Sequence, residues 1–130
     1  MAERTLIGER DFTPDAASVS SARRFVVSLL DAEADLLDSV QLAVSELATN
    51  AVLHARSPFT VRVSREGARL RVAVHDSSPA AAAKKDYGPT AVTGRGLTIV
   101  EQLTDEWGVT ADGVGKWVWF EVTDARQEVR

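Results

Sequence analysis

The sequence contains no cysteine, and this absence excludes several classes of protein. Without thiols the chain has no disulfide framework, no cysteine-ligated zinc and no thiol nucleophile. A chain of 130 residues needs no disulfide or structural metal to stay folded, because it buries roughly two thirds of the surface that its unfolded form exposes. We therefore expect one globular domain over residues 1–130, in a reducing compartment.

Long apolar runs and an excess of basic residues are also absent. No run approaches the ~20 apolar residues that cross a bilayer, and the first segment, MAERTLIGERDF, lacks the basic-then-apolar order of a secretory signal. The 15 Lys and Arg are outnumbered by 19 Asp and Glu, whereas nucleic-acid binding needs a basic face. These absences predict a soluble cytoplasmic protein that has neither nucleic acid nor membrane as a partner.

One short part of the sequence is rich in arginine, although acidic residues outnumber basic ones in the whole chain. It consists of Arg62, Arg65, Arg69 and Arg71. Because these residues fall in segments where apolar and polar residues alternate, we interpret them as solvated strand faces rather than as a basic patch for a ligand.

The first half of the chain predicts a strand, two helices and a hairpin. Residues 4–12 form a plausible edge strand, and a helix follows with Thr13 as its N-cap and Pro14 at its first position. A second helix with a broad apolar face covers 35–55 and ends before a Ser-Pro pair. Alternation over residues 59–76 then predicts two strands that are joined by a tight turn at Glu66–Gly67.

The second half predicts a long loop, a third helix and a last strand. Residues 77–96 show no periodicity, which is typical of functional or mobile loops. Apolar residues at helical spacing indicate a helix over 96–109, and the final strand covers 117–122. Helices grouped apart from hairpin-linked strands favour an α+β fold in which helices cover one face of a sheet.

A row of polar residues interrupts the apolar second helix. Glu46, Asn50 and His54 recur every fourth residue, and residues four apart lie on one face of a helix. An Asn oxygen suits Mg²⁺, and a carboxylate one turn away can orient water or accept a proton from a hydroxyl during phosphoryl transfer. A polar stripe that faces solvent explains the same pattern. The helix alone does not decide between this interpretation and a site for Mg²⁺ and phosphoryl transfer.

Two further segments carry candidate ligand-binding residues. Asp76 directly follows an apolar strand, where a carboxylate can accept a hydrogen bond from an exocyclic amino group such as that of adenine, or can cap a turn. Gly94 and Gly96 precede the third predicted helix, where backbone amides and the helix dipole favour an anion. Arg95 lies between them and can reach a phosphate; a flexible hinge is the alternative.

Taken together, these segments resemble the GHKL ATPase superfamily, which includes gyrase, MutL and histidine kinases. The nearest likeness is to the short histidine-kinase-like branch of the serine-kinase anti-sigma factors. ELATNAVLHA resembles the N box of that family, VHDSSP its first glycine box, GRGLTIVEQLTDEWGV its second and GKWVWFEV its closing strand. The resemblance implies the Bergerat fold, a two-layer α/β sandwich whose mixed, mostly antiparallel sheet is covered by helices on one face.

The resemblance also implies a ligand set of ATP and Mg²⁺. It assigns Asn50 to the Mg²⁺ ion, Glu46 to the role of general base or water orienter, and Asp76 to the adenine amino group. The other nucleotide-binding residues that it implies, all near the phosphates, are His54, Gly94, Arg95, Gly96 and Leu97.

The activity that the resemblance implies is that of a serine/threonine protein kinase acting as an anti-sigma factor. Such a protein binds a sigma factor and phosphorylates an anti-anti-sigma partner, and it is typically a homodimer, here with the first strand and helix as the candidate interface. Since no phosphoacceptor helix pair precedes the domain in this sequence, we do not expect a sensor kinase acting on its own histidine.

Two departures from the family pattern leave other functions open. The first box of the family is usually Asp-x-Gly-x-Gly, but here Ser77, Ser78, Pro79 and Ala80 follow the aspartate. Trp117 stands where a threonine often opens the final strand. The alternatives are a non-catalytic module that sequesters a sigma factor or another partner with weak or no nucleotide turnover, and an ATPase whose hydrolysis drives a conformational cycle.

Overall fold

The computed structural model describes residues 3–78 and 94–127. Its helices and strands follow the order β1 (Thr5–Phe12), α1 (Ala17–Ser28), α2 (Ala34–Asn50), β2 (Phe59–Glu66), β3 (Arg69–Asp76), α3 (Gly94–Leu103), β4 (Glu106–Ala111) and β5 (Lys116–Thr123). A π-helical turn, Ala51–Ala55, continues α2, and a 3₁₀ turn, Ala125–Gln127, follows β5. No helix in the described ranges is long and apolar enough to cross a membrane.

The strands form one sheet in the order β1-β2-β3-β5-β4, and every neighbouring pair is antiparallel. The β2–β3 hairpin is as predicted, but its turn is Gly67–Ala68, one residue later than expected, because Glu66 pairs with Arg69. Gly67 has φ +59°, a conformation that glycine adopts without steric cost.

The core lies between the helices and one face of this sheet. Alternate residues of β2, β3 and β5 point into it, as the period of two predicts. Helix α2 contributes a buried face and packs against both α1 and α3. The core residues with no exposed surface include Val40, Ala43, Val44, Val61, Val63, Leu70, Val72 and Phe120. The predicted α+β sandwich with helices on one sheet face is therefore confirmed.

The predicted start of the first helix is wrong by three positions. Helix α1 begins at Ala17 rather than at Pro14. The carboxylate of Asp15 accepts a hydrogen bond from the backbone N–H of Ser18 at 3.2 Å, and the Thr13 hydroxyl donates to the same carboxylate at 2.5 Å. Thr13 and Pro14 thus lie in a turn ahead of the helix, because Asp15 satisfies a first-turn amide.

The predicted third helix is also too long. Helix α3 ends at Leu103, and Glu106–Ala111 forms β4, which pairs with β5. Gly108 faces Trp119 so closely that a Cβ there would lie 2.7 Å from an indole carbon. Pairing of a short edge strand with β5 has therefore overridden the helical spacing on which the prediction rested.

The arginines of the hairpin lie mostly on the face of the sheet opposite the helices. The guanidinium of Arg62 stacks over Trp117 at 4.3 Å, and that of Arg71 stacks over Trp119 at 3.9 Å. Arg65 instead alternates onto the helix-covered side. For Arg62 and Arg71, the interpretation as strand-face residues is confirmed, and cation–π contacts hold them against the indoles.

Glu121 organises the basic residues of this open face. Its carboxylate lies 2.7 Å from Arg71, 2.9 Å from Arg69 and 3.3 Å from Arg4, and its side chain is only 8% exposed. Desolvation raises the pKa of Glu121, but the hydrogen bond and charge of Arg71, with smaller contributions from Arg69 and Arg4, outweigh it, so the pKa is lowered overall.

We expect Glu121→Gln to lower the free energy of unfolding by about 1–2 kcal/mol at neutral pH, because charge-assisted hydrogen bonds to arginine are lost. A lowered folded-state pKa gives stability that is present above the unfolded pKa and is lost as the pH falls through the folded pKa. Urea unfolding at pH 7 and near pH 3 measures this difference. If the difference in free energy of unfolding between wild type and variant stays constant from pH 7 to about pH 3, the ion-pair explanation is contradicted.

Candidate functional site

Asp76 ends β3 on the helix-covered side and forms a buried ion pair. Its carboxylate oxygens lie 2.6 and 2.5 Å from the ammonium nitrogen of Lys116, and the two side chains are only 3% and 2% exposed. The two residues face each other at the end of the β3–β5 ladder. A buried charge pair needs good geometry and further hydrogen bonds to offset its desolvation, and both are present here.

Ser78 supplies those further hydrogen bonds. Its backbone N–H and its hydroxyl donate to Asp76 Oδ1 at 2.9 and 2.6 Å, and its hydroxyl oxygen also accepts a hydrogen bond from the ammonium of Lys116 at 2.8 Å. The residue that replaces a family glycine in the first box is therefore part of a closed network. We call the side chains of Asp76, Ser78 and Lys116 the buried triad, in which Asp76 and Lys116 are buried and Ser78 is half-buried.

Sequence reasoning missed Lys116 and misplaced its neighbour. Trp117, interpreted as the residue at the threonine position of the family, contacts Arg62 and His75 on the open face of the sheet. The residue that opens β5 on the helix side is Lys116. A signal existed, since Lys116, Val118 and Phe120 alternate and so fall on one face, which places a lysine in line with core positions.

Asn50 is the last residue of α2 and is 4% exposed. Its side-chain nitrogen is buried and has no hydrogen-bond partner within residues 3–78 and 94–127. An unsatisfied buried amide costs about 1–3 kcal/mol, so this position is unfavourable unless a ligand completes it. The π-helical turn Ala51–Ala55 begins at the next residue, and such turns are frequent at functional sites.

The predicted stripe is only partly preserved. Glu46 lies one α-helical turn before Asn50 and is half-buried, whereas His54 lies inside the π-helical turn and is exposed. Since a π-helix closes its hydrogen bonds over five residues instead of four, His54 is not stacked on Asn50 as an α-helix would place it. Arg56, with φ 53°, ends the turn, ahead of the predicted Ser-Pro stop.

The elements that carry these residues are neighbours. The π-helical turn after Asn50 packs against β3, the strand that Asp76 ends, and α3 packs against α2. Helix α3 begins at Gly94, so Gly94, Arg95 and Gly96 lie in its first turn rather than before it. The side chains of 94–97, including Leu97, and all of the predicted loop over 79–93 are outside the described residues.

On the other side of the sheet, His75 connects β3 to the β4–β5 turn. Its Nε2 lies 2.9 Å from a carboxylate oxygen of Asp112. Partial desolvation raises the pKa of Asp112, but the backbone N–H of Val114 and the charge of His75 outweigh it, so the pKa is lowered overall. This contact joins β3 to the turn that precedes Lys116.

The sequence model of the histidine kinase-like ATPase domain matches residues 12–122. Because the match spans most of the chain, the protein belongs to the histidine kinase-like ATPase domain family. The predicted membership of the GHKL superfamily is confirmed. No curated protein sequence matches the chain.

Several solved structures, among them the following three, are similar to this one. The RsbU and RsbW domains of Rv1364c from Mycobacterium tuberculosis give a TM-score of 0.67 at 18% identity, over 89% of this chain and 32% of that one. The blue-light activated histidine kinase of Erythrobacter litoralis EL346 gives 0.60 at 25% identity, over 88% and 42%. Its histidine kinase domain gives 0.52 at 29% identity, over 72% and 47%. This chain thus spans about a third to a half of the length of those chains.

Proposed function

We propose that this protein is an ATP-binding regulator, a serine/threonine protein kinase that binds a sigma factor and phosphorylates an anti-anti-sigma partner. Membership of the histidine kinase-like ATPase domain family supports ATP as the ligand. The observation that carries the proposal is the buried side-chain nitrogen of Asn50, which has no hydrogen-bond partner among the described residues; the resemblance to the N box assigns this asparagine to the metal.

The chemistry of Asn50 fits a magnesium-bound triphosphate. An Asn oxygen is a hard ligand of the kind that Mg²⁺ accepts together with waters and substrate phosphates. The amide nitrogen, which has no partner in the described part of the chain, can donate to a phosphate oxygen. Both ends of this side chain would then be satisfied, and the cost of burying it would be offset.

The remaining residues supply proton transfer and charge. Bound Mg²⁺-ATP supplies the phosphoryl group that is transferred. Glu46, half-buried one turn from Asn50, accepts the proton of the acceptor hydroxyl. The backbone N–H groups of the first turn of α3, together with Arg95, offset the negative charge of the phosphates.

The direct experiment is transfer of ³²P from [γ-³²P]ATP. The purified chain is incubated with Mg²⁺, labelled ATP and candidate anti-anti-sigma proteins, and phosphoserine or phosphothreonine is identified in the labelled product. Labelling of one acceptor that requires Glu46 supports the proposal. An acceptor that is bound but never labelled, at any ATP concentration, would contradict kinase activity.

A thermal shift tests the ligand assignment separately. Mg²⁺-ATP at 100 times its Kd should stabilise the folded chain by about 2.7 kcal/mol, which corresponds to several degrees in Tm for a domain of this size. We expect Asn50→Ala to abolish most of this shift, because the metal ligand is lost. Thr49→Ala, at the neighbouring half-buried helix position, is the matched control and should keep the shift. An unchanged shift in Asn50→Ala would refute the role of Asn50.

One observation favours the alternative of a non-catalytic binding module that sequesters a partner. Asp76, the residue assigned to adenine, is engaged by Lys116 and Ser78. If that network excludes nucleotide, Mg²⁺-ATP will produce no thermal shift in the wild type, and sigma-factor binding will be independent of ATP.

A further inference from the structure

Lys116 is a buried cation whose three ammonium protons all have acceptors. Its nitrogen lies 2.6 Å from Asp76 Oδ1, 2.5 Å from Asp76 Oδ2 and 2.8 Å from the Ser78 hydroxyl oxygen. An ammonium group has three donors and no acceptor. With the buried triad assembled, Lys116 has no proton left for another group.

The carboxylate of Asp76 is almost as fully used. Oδ1 accepts from the Ser78 N–H, the Ser78 hydroxyl and Lys116, while Oδ2 accepts, among the residues that the structure describes, from Lys116 only. Since each carboxylate oxygen has about two lone-pair sites, one acceptor site on Oδ2 remains. When an amino group of a ligand approaches Asp76, the charge of the carboxylate is already balanced by Lys116. Most of its acceptor sites are already occupied by Ser78 and Lys116.

The backbone holds Lys116 in this position. Lys116 pairs with Asp76 as the last pair of the β3–β5 ladder, and the residue before it passes so close to β3 that a Cβ on Gly115 would lie 2.0 Å from the Asp76 carbonyl oxygen. If the ammonium moved away from the carboxylate, Asp76 would remain as a buried, unpaired charge. The ammonium is thus a fixed part of this end of the site.

We propose that Lys116 determines the base selectivity of the nucleotide site, an inference that rests on the proposed function. With Lys116 on Asp76, a 6-amino base gains one acceptor at most, and a 6-oxo base meets a carboxylate whose charge the ammonium already balances. Binding strength then comes from the magnesium-phosphate end, and the site accepts purine nucleoside triphosphates with little discrimination at position 6 of the base.

The test compares the Kd of Mg²⁺-ATP with that of Mg²⁺-GTP by isothermal titration calorimetry on the full chain. For the wild type we expect the two values to agree within about tenfold. Lys116→Thr removes the ammonium and frees the carboxylate, and we expect the preference for ATP to rise at least about 100-fold, because a site that reads a hydrogen-bonding group rejects the analogue without it. Trp117→Thr, on the opposite face of the sheet, is the control and should leave the ratio unchanged.

Each outcome decides the matter. A wild-type preference for ATP above about tenfold would overturn the role of Lys116 while leaving the proposed function intact. So would a folded Lys116→Thr or Lys116→Met variant, verified by circular dichroism, with an unchanged ratio. If wild type and variants bind neither nucleotide, the proposed function fails and this inference fails with it. The wild-type ratio remains decisive even if a variant does not fold.

Discussion

Asp76→Ala is expected to lower the free energy of unfolding by about 3–5 kcal/mol, because removing one member of a buried ion pair leaves the other as an uncompensated charge. The Lys116 side chain is 2% exposed and its strongest acceptors are the two oxygens of Asp76. Urea unfolding at pH 7, followed by circular dichroism, measures the loss.

The double variant Asp76→Ala/Lys116→Met is the control for this prediction. Since a buried pair can often be replaced by apolar residues at little cost, the double variant should recover most of the lost stability. The resulting coupling energy isolates the interaction of the pair. A single Asp76→Ala variant as stable as the wild type would mean that the ion pair does not hold the β3–β5 end together.

Glu46→Gln is expected to reduce the rate of phosphoryl transfer by about 10²–10⁴-fold, which is the usual contribution of a positioned general base. The side chain keeps its shape and loses only its ability to take a proton, so the Kd of Mg²⁺-ATP should change little. Single-turnover transfer of ³²P to the identified acceptor measures the rate, and calorimetry measures the Kd.

Ser45→Ala is the matched control for Glu46. The Ser45 hydroxyl donates to the backbone oxygen of Gln41 and accepts from Arg23, so it is engaged by α1 and by its own helix. This variant should transfer phosphate at the wild-type rate. A Glu46→Gln variant that retains the full rate would show that the proton leaves by another route.

Helices and strands could be predicted from sequence wherever the apolar residues of a segment followed one period only. The alternation through Val61, Val63, Val72 and Val74 can only be satisfied by a sheet with one covered face, and the hairpin follows from it. β4 was not accessible, because Val100, Leu103 and Trp107 continue a helical spacing past the real end of α3. Only pairing with β5, a contact distant in sequence, shows that Trp107 is in a strand.

The places of Asp76 and Asn50 in the fold were accessible from sequence, but the network around Asp76 was not. Asp76 falls at a strand end and Asn50 in a buried helix, as the sequence predicts. The pairing of Asp76 with Lys116 joins residues forty positions apart and depends on the register of β3 and β5. The π-helical turn at His54 was equally hidden, since nothing local distinguishes it from a continuing α-helix.

The central claim is that nucleotide binds on the helix-covered side, between α2 and the end of β3. Titrating ¹⁵N-labelled protein with Mg²⁺ and a non-hydrolysable ATP analogue tests it directly by nuclear magnetic resonance. We predict shifts in the side-chain amide of Asn50 and the backbone amides of Asp76 and Ser78, with the indole signals of Trp117 and Trp119 unmoved. Shifts confined to those two indoles, or no shifts at millimolar analogue, would contradict the account.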